Sequence, residues 1–143
     1  MQTLRNGLFM LLTAAFLIAC SAGNSPEKVA QKYVDAVLAN DIDGVMNTLE
    51  IPADAGKEQQ AMVRGKLSMM LAENSSRAIR FGGVKDVSYS KPEYNQDETR
   101  ASLVATIRYK EDSAPTKREN ITLSKTEKGW KVSLKSRLNQ RMC

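Results

Sequence analysis

Apolar residues recur every fourth position early in the chain. Val29, Tyr33 and Val37 form one row, and Ala30, Val34 and Leu38 form a second. Together they make a single stripe on one helix. Ser25 suits the cap of that helix, Pro26 its first turn and Glu27 the positive end of its dipole. Asn40-Asp41 stops it. Ile42, Val45, Met46 and Leu49 predict a short second helix that tolerates Gly44. It ends at Ile51-Pro52, because the residue before a proline avoids the helical region. A third helix begins after Asp54, buries Val63, Leu67, Met70 and Leu71, and ends near Asn74-Ser75-Ser76. At this spacing Met62, Met69 and Met70 read as core, with a soft binding surface as the alternative.

After Gly82-Gly83 the period changes from about four to two. Residues 84–89 read as a strand, and residues 91–99, with Pro92, Asn95 and Asp97, as a loop or weak edge. Ala101, Leu103, Ala105, Ile107 and Tyr109 then alternate with Ser102, Val104, Thr106, Arg108 and Lys110, as in a strand with one buried face. Residues 111–115 turn. Residues 117–125 make the next strand with Ile121 and Leu123 inward. Trp130, Val132, Leu134 and Leu138 line the inner face of a last one. Helices first and an antiparallel meander afterwards indicate an α+β fold, with N-terminal helices packed on a curved antiparallel β-sheet.

Ahead of these elements lies a segment of another kind. Arg5 gives a weakly positive start, and residues 8–19 form an uncharged, mostly apolar run. That run is too short to cross a bilayer, which takes about 20 residues, and it suits the apolar region of a secretory signal peptide. Leu17-Ile18-Ala19-Cys20 follows at once. The tetrapeptide resembles the lipobox of bacterial lipoproteins. The resemblance implies diacylglyceryl transfer to the Cys20 thiol, cleavage before Cys20 and acylation of the new amine. Several acyl chains on one residue anchor firmly, since each buried methylene adds about 0.8 kcal/mol. An ordinary cleaved leader with Cys20 as a bystander is the competing reading. Resemblance to the enterobacterial sorting system, where an Asp after the Cys favours retention in the inner membrane, implies through Ser21 a periplasm-facing place in the outer membrane, with the inner membrane or the cell surface as alternatives. The expected organisation is a signal peptide over 1–19, a lipidated tether over 20–25, a domain over 26–138 and a tail over 139–143.

Composition narrows the chemistry. The 143-residue chain contains no histidine and two cysteines. This excludes Ser-His and Cys-His catalysis, histidine metal sites and a disulfide framework. No metal or cofactor is expected. Cys143 is left either for an intermolecular disulfide or as an incidental terminal thiol. The net charge of +5 is unevenly spread. Residues 25–76 carry five basic and eight acidic side chains, and residues 77–143 carry fifteen and eight.

The helix-then-sheet order resembles the cystatin-like cone of the nuclear transport factor 2-like superfamily. More narrowly, it resembles small bacterial lipoproteins that carry a domain of unknown function with that fold. The residues that carry the likeness are Ser25-Pro26-Glu27-Lys28-Val29-Ala30, Tyr33-Val34-Asp35-Ala36-Val37, Asp41-Ile42-Asp43-Gly44-Val45 and Gly129-Trp130-Lys131-Val132. The resemblance implies a pocket between helices and sheet, and a homodimer formed through the sheet as an option.

Two sets of residues are candidates for function. Tyr33, Tyr89, Tyr109 and Trp130 are aromatic, fall on inward faces and suit a small-ligand pocket; packing in the core is the alternative. Lys131, Lys135 and Arg137 alternate along the last strand, and Arg108, Lys110 and Arg118 extend the same outer face if the strands are neighbours. Such a face suits an anionic envelope component or a protein partner, or is simply solvated. Nucleic acid is not an expected partner. Asp35 is the one candidate base, with an exposed helix position as the alternative. Three readings follow. The first is a lipid-anchored, non-enzymatic binding or accessory module. The second is a small histidine-free enzyme of the isomerase or dehydratase type. The third is a structural envelope protein.

Overall fold

In a computed structural model, which describes residues 24–134, the first helix starts where its capping chemistry places it. The Ser25 side chain accepts a hydrogen bond from the Lys28 N–H and opens α1 (Pro26–Leu38). Val29, Ala30, Tyr33, Val34, Ala36 and Val37 face inward. Asn40 takes a positive φ of 57°, which asparagine tolerates, and turns the chain into α2 (Ile42–Thr48). The Asp41 carboxylate caps α2 by accepting from the Gly44 N–H at 2.9 Å. A Cβ on residue 44 would stand 2.5 Å from that carboxylate. The glycine is therefore part of the cap, since any side chain there would evict it.

The third helix, α3 (Lys57–Arg80), is longer than expected. It runs through Asn74-Ser75-Ser76 for another turn. The Asn74 side chain donates back to the Met70 carbonyl at 2.9 Å, so it supports the helix it was expected to end. Glu73 and Arg77, one turn apart, lie 3.6 Å from each other. The helix stops instead at Gly82 and Gly83, with φ of 75° and 101°. A second correction concerns the methionines. Met62 and Met69 are 61 % and 76 % exposed and do not belong to the core; only Met70 packs against it. The alternation of i and i+7 that suggested burial lies on the solvent side of a helix that buries only Leu67, Leu71 and Asn74.

The sheet comprises β1 (Val84–Tyr89), β2 (Glu93–Tyr94), β3 (Arg100–Tyr109), β4 (Lys117–Thr126) and β5 (Gly129–Val132). The strands run antiparallel in the order β1-β3-β4-β5, with β2 also on β3. The 91–99 segment is thus an edge strand of two residues, Glu93 and Tyr94, opposite Ser102 and Ala101. Along β3 every odd residue from Ala101 to Tyr109 is buried, as the period of two requires. Ile121, Leu123, Trp130 and Val132 continue that face on β4 and β5. The α1 stripe lies on it, with Tyr33, Val34, Val45, Leu71, Leu103 and Leu123 in one core. Past α2 the chain does not leave the sheet. Leu49 forms a parallel bridge to Val132, and the Glu50 N–H donates to the Val132 carbonyl at 2.8 Å.

The expected leader, Cys20, Lys135, Arg137, Leu138, the 139–143 tail and Cys143 lie outside the described residues. Among the described residues, no helix is long and apolar enough to cross a membrane.

Leu123 is fully buried, so Leu123→Ala will cost about 2–5 kcal/mol in urea unfolding. Met69→Ala will change the same measurement by no more than about 0.5 kcal/mol.

Candidate functional site

Val63, Leu67 and Met70 recur at i, i+4 and i+7 and so share one face of α3. Opposite them the chain after α2 contributes Ile51 and Pro52, and the residues just past β5, which ends at Val132 and not beyond Leu134 as expected, contribute Ser133 and Leu134. These walls enclose a cleft of about 560 Å³. Glu50, Gln59, Lys66 and Thr126 complete its lining. Lys66 and Gln59 are exposed, which puts the polar groups at the rim and the apolar ones inside. The bend that makes room is the one at Ile51-Pro52, where the chain leaves its short pairing with β5.

Deeper along the same helix lies a polar cluster. The Lys117 ammonium donates to the Asn74 side-chain oxygen and lies 3.8 Å from the Glu119 carboxylate. Both charged side chains are mostly buried, at 24 % and 14 % exposure. Strand alternation explains their place, since Lys117 and Glu119 share a face with Ile121 and Leu123. That signal stood in the sequence, but attention to apolar residues alone passes over it. A half-buried ion pair adds little net stability, because desolvation offsets its attraction. Its geometric effect is to tie α3 to the first residues of β4. Burial pushes the nearby Tyr109 phenol up; Arg77 opposes the rise and Glu119 adds to it.

The four aromatic candidates do not line the cleft. Tyr33 is fully buried in the core. Tyr109 is buried with its ring 5.4 Å from Phe81. Trp130 is buried and meets the edge of Tyr94 at 6.0 Å. Tyr94 sits in the weak edge segment and escaped the sequence reading for that reason. Tyr89 is half-buried, and burial together with the Asp35 carboxylate pushes its phenol up to about 12. Asp35 itself is exposed, in a shallow dish between α1 and α2 that also holds Lys32 and Asp41.

On the sheet's other face the register places Arg108, Arg118 and Lys131 on the same side of neighbouring strands. Two of these cations are already engaged. Arg108 grips Asp86 of β1 through two hydrogen bonds of 2.9 Å, and this holds the Asp86 carboxyl below its ordinary range. Lys131 donates to the Asn47 carbonyl at 2.8 Å, across to the end of α2. Among the described residues, no group of three or more Cys, Asp or Glu side chains could hold a metal ion.

Three helices followed by a curled antiparallel half-barrel define an NTF2-like α+β cone. The chain belongs to the family described as a domain of unknown function, DUF4878, whose model matches residues 19–133. It is similar to the crystal structure of a putative NTF2-like transpeptidase from Campylobacter jejuni. That likeness has 25 % identity and a TM-score of 0.68, and covers 77 % of this chain and 98 % of the other. It is also similar to a putative calcium/calmodulin-dependent protein kinase type II association domain from Thiobacillus denitrificans. There the identity is 13 % and the TM-score 0.52, over 76 % of this chain and 90 % of the other, and the likeness is one of fold alone. No curated protein matches the chain.

The Tyr89 shift has a signed consequence for stability. The fold favours the neutral phenol, so its contribution is complete below pH 10 and is lost as pH rises through about 12. Urea midpoints measured across that window will fall less steeply in Tyr89→Phe than in the wild type. Asp35→Asn will bring the Tyr89 midpoint partway back toward 10.

Proposed function

We propose that the protein is a lipid-anchored envelope module that binds a small amphiphile in the cleft between α3 and β5 and does not transform it. The observation that carries this reading is the cleft. Its volume of about 560 Å³ lies within the range of small-molecule sites, about 300–1,000 Å³. Its walls are apolar, and Lys66 and Gln59 stand at the rim for a polar end. The ligand buries its apolar part against Val63, Leu67, Met70 and Leu134, and each methylene buried contributes about 0.8 kcal/mol.

The anchor rests on Leu17-Ile18-Ala19-Cys20, which resembles a lipobox at the end of an apolar run. Ser21 argues for the outer membrane, facing the periplasm. The sheet's basic outer face is a weaker candidate for a partner, because Arg108 and Lys131 already have partners within the chain.

The Campylobacter protein is titled a putative transpeptidase, and acyl transfer needs a nucleophile within reach of a base. Ser133 is the wall hydroxyl best placed for such a role, but it is mostly buried and the chain has no histidine to activate it. This favours holding a ligand over turning it over.

Two measurements test the reading. Cys20→Ser will release the protein from the membrane fraction and abolish acylation at that residue by mass; an acylated wild type is the expected control, and an unmodified Cys20 sinks the anchor. Dansyl-labelled undecanoic acid will bind the wild type with micromolar affinity. Val63→Asp will weaken that binding at least about tenfold, whereas Asp35→Asn will leave it unchanged. No saturable binding to the wild type would overturn the cleft as a ligand site.

A further inference from the structure

The start of the described chain is fastened to the sheet. Asn24 accepts a hydrogen bond through its side-chain oxygen from the Trp130 backbone N–H at 2.6 Å. Its amide fills the space a Cβ on Gly129 would need, with the Asn24 Cγ 2.7 Å from that point. Gly129 has a φ of 96°, so glycine serves the turn and the contact together. Ser25, the next residue, is committed to capping α1. The chain is therefore held from both sides of Asn24, by the β4–β5 turn and by the helix.

Cys20 stands four residues before that fastening point. Four residues span at most about 14 Å even when fully extended. A long linker would let the domain tumble above its anchor. A reach this short does not, because the point where the tether meets the domain is fixed on the domain's own surface.

We propose that the cone rests on the bilayer by the end that carries its two hairpin turns, residues 95–99 and 126–129, with those turns against the headgroup layer. The proposal builds on lipidation at Cys20. The two turns form one unit, since the Lys125 N–H donates to the Thr99 carbonyl at 2.8 Å and Asn95 accepts from the Arg100 N–H at 2.8 Å. Their exposed groups include Asp97, Glu98, Glu127, Lys125 and Lys128. The turns are polar and carry both signs of charge, and the half-exposed Tyr94 beside them packs its ring on Trp130, so they meet headgroups without desolvating an extended apolar patch. The tether, not attraction to anionic lipid, sets the contact. The far end of the cone carries Gly82-Gly83 and the loop at residues 110–116. The ten residues of β4 separate the two ends by about 30 Å.

Energy transfer to a labelled lipid tests this orientation. Full-length lipidated protein with Cys143→Ser is reconstituted in vesicles of phosphatidylethanolamine and phosphatidylglycerol that contain an acceptor lipid. A donor dye is attached through Lys128→Cys or, separately, Asp112→Cys. Transfer from position 128 will exceed that from position 112 several-fold, and added salt will not remove the difference. Asn24→Ala will shrink the gap while acylation by mass stays intact. Asn24→Asp keeps the acceptor oxygen and will keep the gap, which separates the pin from any general loss of folding. Equal transfer from both positions on an acylated protein overturns the docked orientation and leaves the anchor standing. A gap unchanged in Asn24→Ala overturns the pin as its cause. A protein without acyl groups on Cys20 overturns both.

Discussion

The packing of α1 on the inner face of β3, β4 and β5 is the interaction on which everything else in this domain rests. One helix stripe and one face of alternating residues meet in a core that includes Tyr33, Val34, Leu103, Leu123 and Val132. Small residues make the meeting close. Ala101 and Ala105 on β3, and Ala30 on α1, are all buried. They leave room in the same core for a large side chain, Tyr33, which is fully buried. With α1 in place, α2 is drawn to the sheet margin and α3 is left to close the remaining side. It does so with only one thin row of apolar residues.

That thinness creates the cleft. A helix of 24 residues that buries three of them is held at separated points, not along its length. Near one end Asn74 meets Lys117, and Phe81 meets Tyr109. Near the other, Arg64 pairs with Asp43 at 2.7 Å in an exposed bridge that contributes little. Between these points the apolar row of α3 faces Leu134 and the Ile51-Pro52 bend across open space. The space is thus a product of the sparse packing of α3 on either side of Leu67 and Leu71.

The sequence made the local chemistry legible and left the assembled surfaces hidden. Helix starts were readable because Ser25, Asp41 and Pro26 act on their immediate neighbours. The inward face of β3 was readable because alternation is strict there. The end of α3 was misjudged because Asn74 looks like a stop signal, yet its side chain bonds one turn back along the helix. Met62 and Met69 were misjudged because periodicity locates a face without saying whether anything covers it. The cleft was not legible at all, since its walls come from three segments distant in the chain. Lys117 and Glu119 could have been placed by alternation, but their link to Asn74 could not. Of the aromatic candidates, Tyr33 and Trp130 lie in the core, Tyr109 is buried beside Phe81 and Tyr89 is half-buried, and none of them lines the cleft.

The sheet's margins have a consequence for how copies of the domain meet one another. On one side Leu49 and Glu50 pair with Val132 and cover the end of β5. On the other, the margin is broken into β1 and β2 by Lys91-Pro92, and β1 is itself irregular between Val84 and Asp86. A proline cannot donate, and an irregular register offers no straight template. Among the described residues, neither margin offers a second copy a long, straight edge to pair with. Edge-to-edge pairing of the kind that seeds a fibre is therefore disfavoured at both margins.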